Sequence, residues 1–230
     1  MERRPLTRRR RVGKPAPRGC AMKLYEAVRS SASFRVRIAL NLKGVTYESQ
    51  VLDLRAGDHR GEGFAHINPQ RAVPALTDGE RTLVQSMAIV EYLEETRPEP
   101  PLFPRSPPER ARVRAMAQLV ACEMHPLNNL RVLDYLEREL GLSGQARDRW
   151  YGHWVREGFR ALEPMLGEPE TGQFSHGNAP TVADLFLVPQ VVNAQRFKVE
   201  LADFPRVVRI FDRCMKLPAF QRAHPEWRQR

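Results

Sequence analysis

The chain has 230 residues, a length that suits two modest domains better than one small one, and 42% of them are hydrophobic, enough for real cores. Its formal net charge of +10 would fit a nucleic-acid binder, but residues 1–21 carry eight of the basic residues, Arg3 to Arg18, against Glu2. That segment holds +7 and leaves +3 for the remainder, so the body is close to balanced, and no run of about 18 apolar residues marks a membrane span.

The first 21 residues read as a basic, disordered tail. They lack the apolar stretch of a secretory signal and the amphipathic pattern of a transit peptide. Met22 opens the first strand pattern, so a later start is an alternative. Any nucleic-acid affinity of the tail would be non-specific and salt-sensitive. Cys20, Cys122 and Cys214 are few and irregularly spaced, which points to a reducing cytoplasm rather than a disulfide framework.

Residues 23–27 (KLYEA) read as a short strand. "RSSASFRVRIAL" follows from Arg29, and Val36, Ile38, Ala39, Leu40 and Leu42 make a mostly apolar helix that stops at Gly44. Residues 45–54 alternate and are rich in β formers, a second strand. An irregular loop follows, with a possible short helix. The stretch 67–86 then predicts a loop, a strand, a turn at Asp78-Gly79 and another strand. Ser86 is positioned to cap a helix that runs to about Glu95. The order β-α-β, loop, β-β-α is thioredoxin-like.

Residues 97–108 (RPEPPLFPRSPP) carry six prolines in twelve residues, a density that predicts a linker. Beyond it the pattern is helical to the end. A long helix spans 109–138 with an interruption near Pro126, and others span 145–166, 205–216 and about 218–223. Residues 180–197 are apolar almost all round, which predicts a buried central helix. Thr181 and Asp184 have capping-box spacing at its start. The expected fold class is therefore α/β plus all-α: a thioredoxin-like domain (22–96), a linker (97–108) and an all-helical domain (109–230).

"AVPAL" (72–76) with "QS" (85–86) and the T-x-x-D cap resemble the cytosolic glutathione transferases. "RSSASFRVRIALNLKGVTYE", "INPQRAVPAL", "QSMAIVEYLEETRP", "HPLNNLRVL" and "LVPQVVNAQRFKVEL" are similar to zeta-class segments, the maleylacetoacetate and maleylpyruvate isomerases. The likeness covers about 22–227. One departure is Ala32, where the zeta fingerprint often has cysteine; no enzyme thiol stands at that place.

This resemblance implies glutathione as cofactor and cis–trans isomerisation of a maleyl double bond by reversible thiolate addition. A thiolate near neutral pH needs hydrogen-bond donors or a helix N-terminus. Ser30 and Ser31 stand where such donors belong, Ser31 being the one implied for the sulfur; taken alone, Ser31 is equally readable as an N-cap. Gln85 and Ser86 are implied for the γ-glutamyl end, Val73 before a cis Pro74 for the cysteinyl unit, and His59 for the glycine end. His125 and Asn129, four apart and able to share a helical face, complete the implied cofactor contacts. Arg29, Arg131 and Arg196 are the candidates for gripping a small dicarboxylate substrate, since a guanidinium binds carboxylate bidentately. Arg131 leans toward maleylpyruvate.

Cys122 and His125 lack a third ligand, so no metal is expected. Family likeness also implies a homodimer. Three other functions compete: conjugation or dehalogenation of electrophiles with glutathione, a non-enzymatic interaction module, and nucleic-acid binding through the tail. The extra arginines count against the first of these, because a general detoxifying pocket is apolar, and Ser31, Gln85 and Ser86 count against the second.

Overall fold

In a computed structural model of the protein, residues 22–227 are described. The basic segment 1–21 lies outside the described residues. Strand β1 (Met22–Glu26) leads to helix α1 (Ser31–Leu42) and strand β2 (Tyr47–Val51). A 3-10 turn (Asp58–Arg60) and the short helix α2 (Glu62–Ala65) precede the hairpin of β3 (Ala75–Asp78) and β4 (Arg81–Val84), and α3 (Ser86–Thr96) closes the unit. The sheet order is β2-β1-β3-β4. β1 and β2 are parallel, with Met22 opposite Tyr47, while β3 runs antiparallel to both β1 and β4. This is a thioredoxin-like sheet.

The proline-rich segment is held down at several points. Glu94 accepts the N–H of Leu102 at 3.0 Å and of Phe103 at 3.3 Å, and both of those side chains are buried. Its last two prolines belong to a helix rather than to the linker expected over 97–108. They open α4 (Pro107–Gln118), capped by Ser106, because a proline in the first turn lacks only an N–H that has no intrahelical partner anyway.

The helical stretch expected over 109–138 is interrupted near Pro126, as its sequence predicts, but its first part does not stay α-helical to that point. α4 passes into a π-helical segment (Leu119–Met124), a turn over residues 125–129, and α5 (Leu130–Arg138). His125 N–H bonds back to Val120 C=O at 2.9 Å, and Pro126 has no N–H to carry the ladder further. α6 (Gly144–Met165) lies against this segment at Gly158, where an added Cβ would overlap the Met124 side chain. α7 (Val182–Arg196), α8 (Pro205–Cys214) and α9 (Pro218–Ala223) follow.

α7 is buried from Val182 to Val191 and again at Asn193 and Ala194, as its mostly apolar sequence predicts. At its start the Asp184 carboxylate accepts the N–H of Thr181 at 2.7 Å, the Thr181 hydroxyl at 3.1 Å and the N–H of Ser175 at 2.8 Å. Water cannot reach these donors, so the carboxylate has to satisfy them.

α1 joins the two halves. It packs on α3 within the first unit and on α7 and α9 of the helical region, and every residue from Ser31 to Leu40 is buried. Arg37 fixes this arrangement. Its guanidinium donates to Glu26 at 2.5 Å, to Val28 C=O at 3.1 Å and to Ala223 C=O at 2.9 Å, while Ser49 donates to Glu26 at 2.6 Å. One hydrophobic core therefore runs from Leu24 and Leu76 on the sheet, through Val36 and Leu40, to Phe186 and Val188 on α7. Among the described residues, no helix is long and apolar enough to cross a membrane.

Candidate active site

The N-termini of α1 and α3 and the turn after the π-helical segment come together. Ser30 is the N-cap of α1, its hydroxyl accepting the N–H of Ser33 at 3.2 Å. Capping therefore falls to Ser30 rather than to Ser31. Ser31 is the first helical residue, is 5% exposed, and has its hydroxyl 3.2 Å from His125 Nδ1.

The direction of that bond follows from the next residue. Asn129 caps α5, its Oδ1 accepting the N–H of Arg131 at 3.1 Å. Its amide nitrogen is left to face His125 Nε2 at 3.4 Å. An Nε2 that accepts puts the single proton of a neutral imidazole on Nδ1, and Nδ1–H then donates to the Ser31 oxygen. The Ser31 hydroxyl proton is free to serve a third group. His125 is held neutral: burial, then the charges of Arg35 and Arg131, push its pKa down to about 3. His125 and Asn129 meet across a turn, not along one helical face as their spacing suggested, because the helix is already broken before residue 125.

The second locus is α3. Its N-cap is Gln85, not Ser86. Gln85 has φ of +71°, outside the ordinary range for a side-chain-bearing residue, and donates to Gln70 at 2.7 Å. Ser86 is the first helical residue and is buried, and its oxygen accepts from Arg35 at 3.3 Å. The Val73–Pro74 peptide bond is cis, and it immediately precedes β3. N–H groups at both helix starts, hydroxyls at both, and the loop before an antiparallel strand can cradle an extended, anionic ligand.

The remaining candidates are more spread out. Arg29 is exposed beside Ser30. Arg131 is exposed at the start of α5, close enough for its charge to act on His125. Arg196 lies at the end of α7, over the ring of Phe197 at 5.2 Å and bonded to Tyr151. No described interaction ties it to Ser31. His59 is half-buried in the 3-10 turn; burial and then Arg60 lower its pKa. The adjacent Arg60 reaches Asp134 of α5 at 3.6 Å, which places this loop at the same domain boundary. A surface cavity of about 710 Å³ along α8 contains none of these residues.

Arg35 was not singled out from sequence. A signal was there, a charge one helical turn after Ser31 in a largely apolar helix that also carries Arg37, but helix periodicity alone does not say that all of α1 is enclosed.

A thioredoxin-like sheet carrying such a cradle, closed by an all-helical region whose central helix packs on α1, defines a glutathione transferase fold. Residues 20–95 match the family model described as the glutathione S-transferase N-terminal domain. The maleylacetoacetate isomerase of Rhizobium meliloti is 50% identical over 204 residues, 88% of this chain and 95% of that one. Among solved structures, a holo maleyl pyruvate isomerase, a bacterial zeta-class enzyme, superposes with a TM-score of 0.87 at 46% identity, covering 88% of this chain and 96% of that one. The maleylacetoacetate isomerase of Methylobacterium extorquens AM1, with malonate and glutathione bound, gives a TM-score of 0.86, with the same identity and coverage. The chain belongs to the zeta class of glutathione transferases, the family of the maleylacetoacetate and maleylpyruvate isomerases.

Proposed function

We propose that this protein is a glutathione-dependent cis–trans isomerase that converts maleylacetoacetate or maleylpyruvate to the fumaryl isomer, in the breakdown of aromatic compounds. The observation that carries this reading is the chain Asn129–His125–Ser31, which leaves one buried hydroxyl proton free at the N-terminus of α1. It is supported by the bound malonate and glutathione of the Methylobacterium extorquens relative, a dicarboxylate beside a thiol cofactor.

The residues present fit glutathione. Ser31 suits the sulfur, with the N–H groups at the start of α1 adding their partial positive charge. Gln85 and Ser86 suit the γ-glutamyl end, Val73 the cysteinyl backbone, and His59 the glycine end. Glutathione, when bound, supplies the thiolate that adds reversibly to the conjugated double bond and so permits rotation about it. Ser31 donates its proton toward the sulfur and holds it as thiolate. His125 stays neutral and aims Ser31; Asn129 fixes the tautomer of His125. Ser30 shapes the helix end. Arg29, Arg131 and Arg196 bind the two carboxylates and offset negative charge developing on the substrate. Ala32 is chemically inert, which is consistent with a borrowed nucleophile. The protein works as a homodimer in the cytoplasm, organised as domains 22–96 and 109–230 about the proline-rich linker.

The test is to incubate the purified protein with each maleyl substrate, with and without glutathione, and follow the fumaryl product by absorbance. Conversion that requires glutathione without consuming it is the expected result. Failure with both substrates, by folded protein that binds glutathione, overturns the proposal.

A further inference from the structure

α1 contains two buried arginines with opposite circumstances. Arg37 is saturated by Glu26 and two carbonyls. Arg35 is 2% exposed, yet its Nε and Nη2 have no hydrogen-bond partner among the described residues. Its one hydrogen bond there runs from Nη1 to the Ser86 oxygen at 3.3 Å. Phe186 of α7 lies against the guanidinium, its ring centroid at 4.4 Å. Burial lowers the pKa of Arg35 to about 9, and no carboxylate is among the charges that act on it. It remains a cation at neutral pH.

A buried cation without a counter-charge is strongly unfavourable, and apolar side chains of similar length would fill the same space. The position of Arg35 indicates what the charge is for. Side chains on a helix lean toward its N-terminus, so Arg35 reaches back toward the end of α1 that carries the serines, and meets the start of α3. A guanidinium only donates. The Ser86 oxygen therefore accepts, and its own proton has to go to another acceptor. The N–H groups of the first turn of α3 want the same kind of partner.

We propose that Arg35 is a positioning residue of the cofactor site, which commits Ser86 to act as a donor and provides the buried positive charge that the γ-glutamyl carboxylate of glutathione completes. This rests on the glutathione reading above. A carboxylate accepts the hydroxyl, the α3 N–H groups and the field of the guanidinium at once. The thiolate is the less suitable counter-charge, since its donor, Ser31, is already aimed by His125.

The experiment compares the wild type with Arg35→Met and Arg35→Lys. Calorimetry gives Kd for glutathione and for 4-aminobutanoyl-Cys-Gly, which lacks only that carboxylate, and melting curves are taken with and without glutathione. In Arg35→Met the affinity for glutathione should fall about 10- to 100-fold, the range of a charge-assisted hydrogen bond, with affinity for the analogue unchanged. The free variant should melt no lower than the wild type, because the uncompensated charge is gone, while its gain in Tm on adding glutathione should shrink. Arg35→Lys should recover part of the affinity through charge alone. Unchanged glutathione binding in Arg35→Met overturns the proposal. So does equal loss of both ligands together with a lower Tm of the free protein, which marks a purely structural arginine. A wild type that fails to bind glutathione at all overturns the underlying functional reading as well, so the two failures are distinguishable.

Discussion

Ser31 and His125 stand 3.2 Å apart across a separation of 94 residues in sequence. One belongs to the thioredoxin-like unit and the other to the helical region. The Ser31 hydroxyl is therefore oriented by the opposite domain, and its geometry depends on their docking.

Replacing Ser31 by alanine removes the free donor while leaving the Ser30 cap in place. The pKa of bound glutathione thiol should rise, read from thiolate absorbance against pH. The isomerisation kcat should fall by about 10²–10³-fold, the usual effect of deleting one preorganised donor. His125→Phe should give a smaller loss in the same direction, because Ser31 is then present but unaimed.

The neutrality of His125 has a stability signature. Its imidazole titrates at about 3 in the folded protein and near 6.5 when unfolded. Between those values the unfolded chain binds the extra proton, so stability is lost as the pH falls from about 6.5 toward 3. His59 and His224 are also lowered and act in the same direction. Urea midpoints measured from pH 7.5 to 4.5 should drop toward acid, and less steeply in His125→Phe. The isomerisation rate should show no limb from His125 between pH 5 and 8.

Arg131 is exposed at the start of α5, close enough for its charge to act on His125. Arg131→Gln should raise KM for the dicarboxylate by about 10-fold or more, in keeping with one charged hydrogen bond. The Kd for glutathione, measured by calorimetry, should stay unchanged. An equal loss in both would place Arg131 on the cofactor instead.

Two buried carboxylates hold the scaffold. Asp184→Ala strands the buried N–H groups of Thr181 and Ser175 and should destabilise by about 2–6 kcal/mol, each buried unsatisfied donor contributing about 1–3 kcal/mol. Glu26→Gln removes the charge facing Arg37 and should destabilise by about 3–5 kcal/mol. Denaturant midpoints check both, and each variant should keep its thiol pKa when folded and bound to glutathione.

The order of elements was legible in the sequence because it rests on local rules: alternation in β2, the Asp78-Gly79 turn, proline density over 97–108, and a mostly apolar α7. The serines, Gln85, the Val73-Pro74 pair and the arginines were legible as motif positions. What local rules miss is who touches whom. They placed the cap of α1 and the cap of α3 one residue late and read the last prolines as linker although they open α4; they set the break near Pro126 correctly but gave no sign of the π-helical segment that leads into it. Helix propensity and spacing describe a residue's own element. The tautomer of His125, the free proton of Ser31 and the unpaired charge of Arg35 are properties of the junction between domains. They exist only once α1 is enclosed by α3, α7 and α9, because desolvation and long-range hydrogen bonding, which set charge and direction there, depend on contacts far apart in the chain.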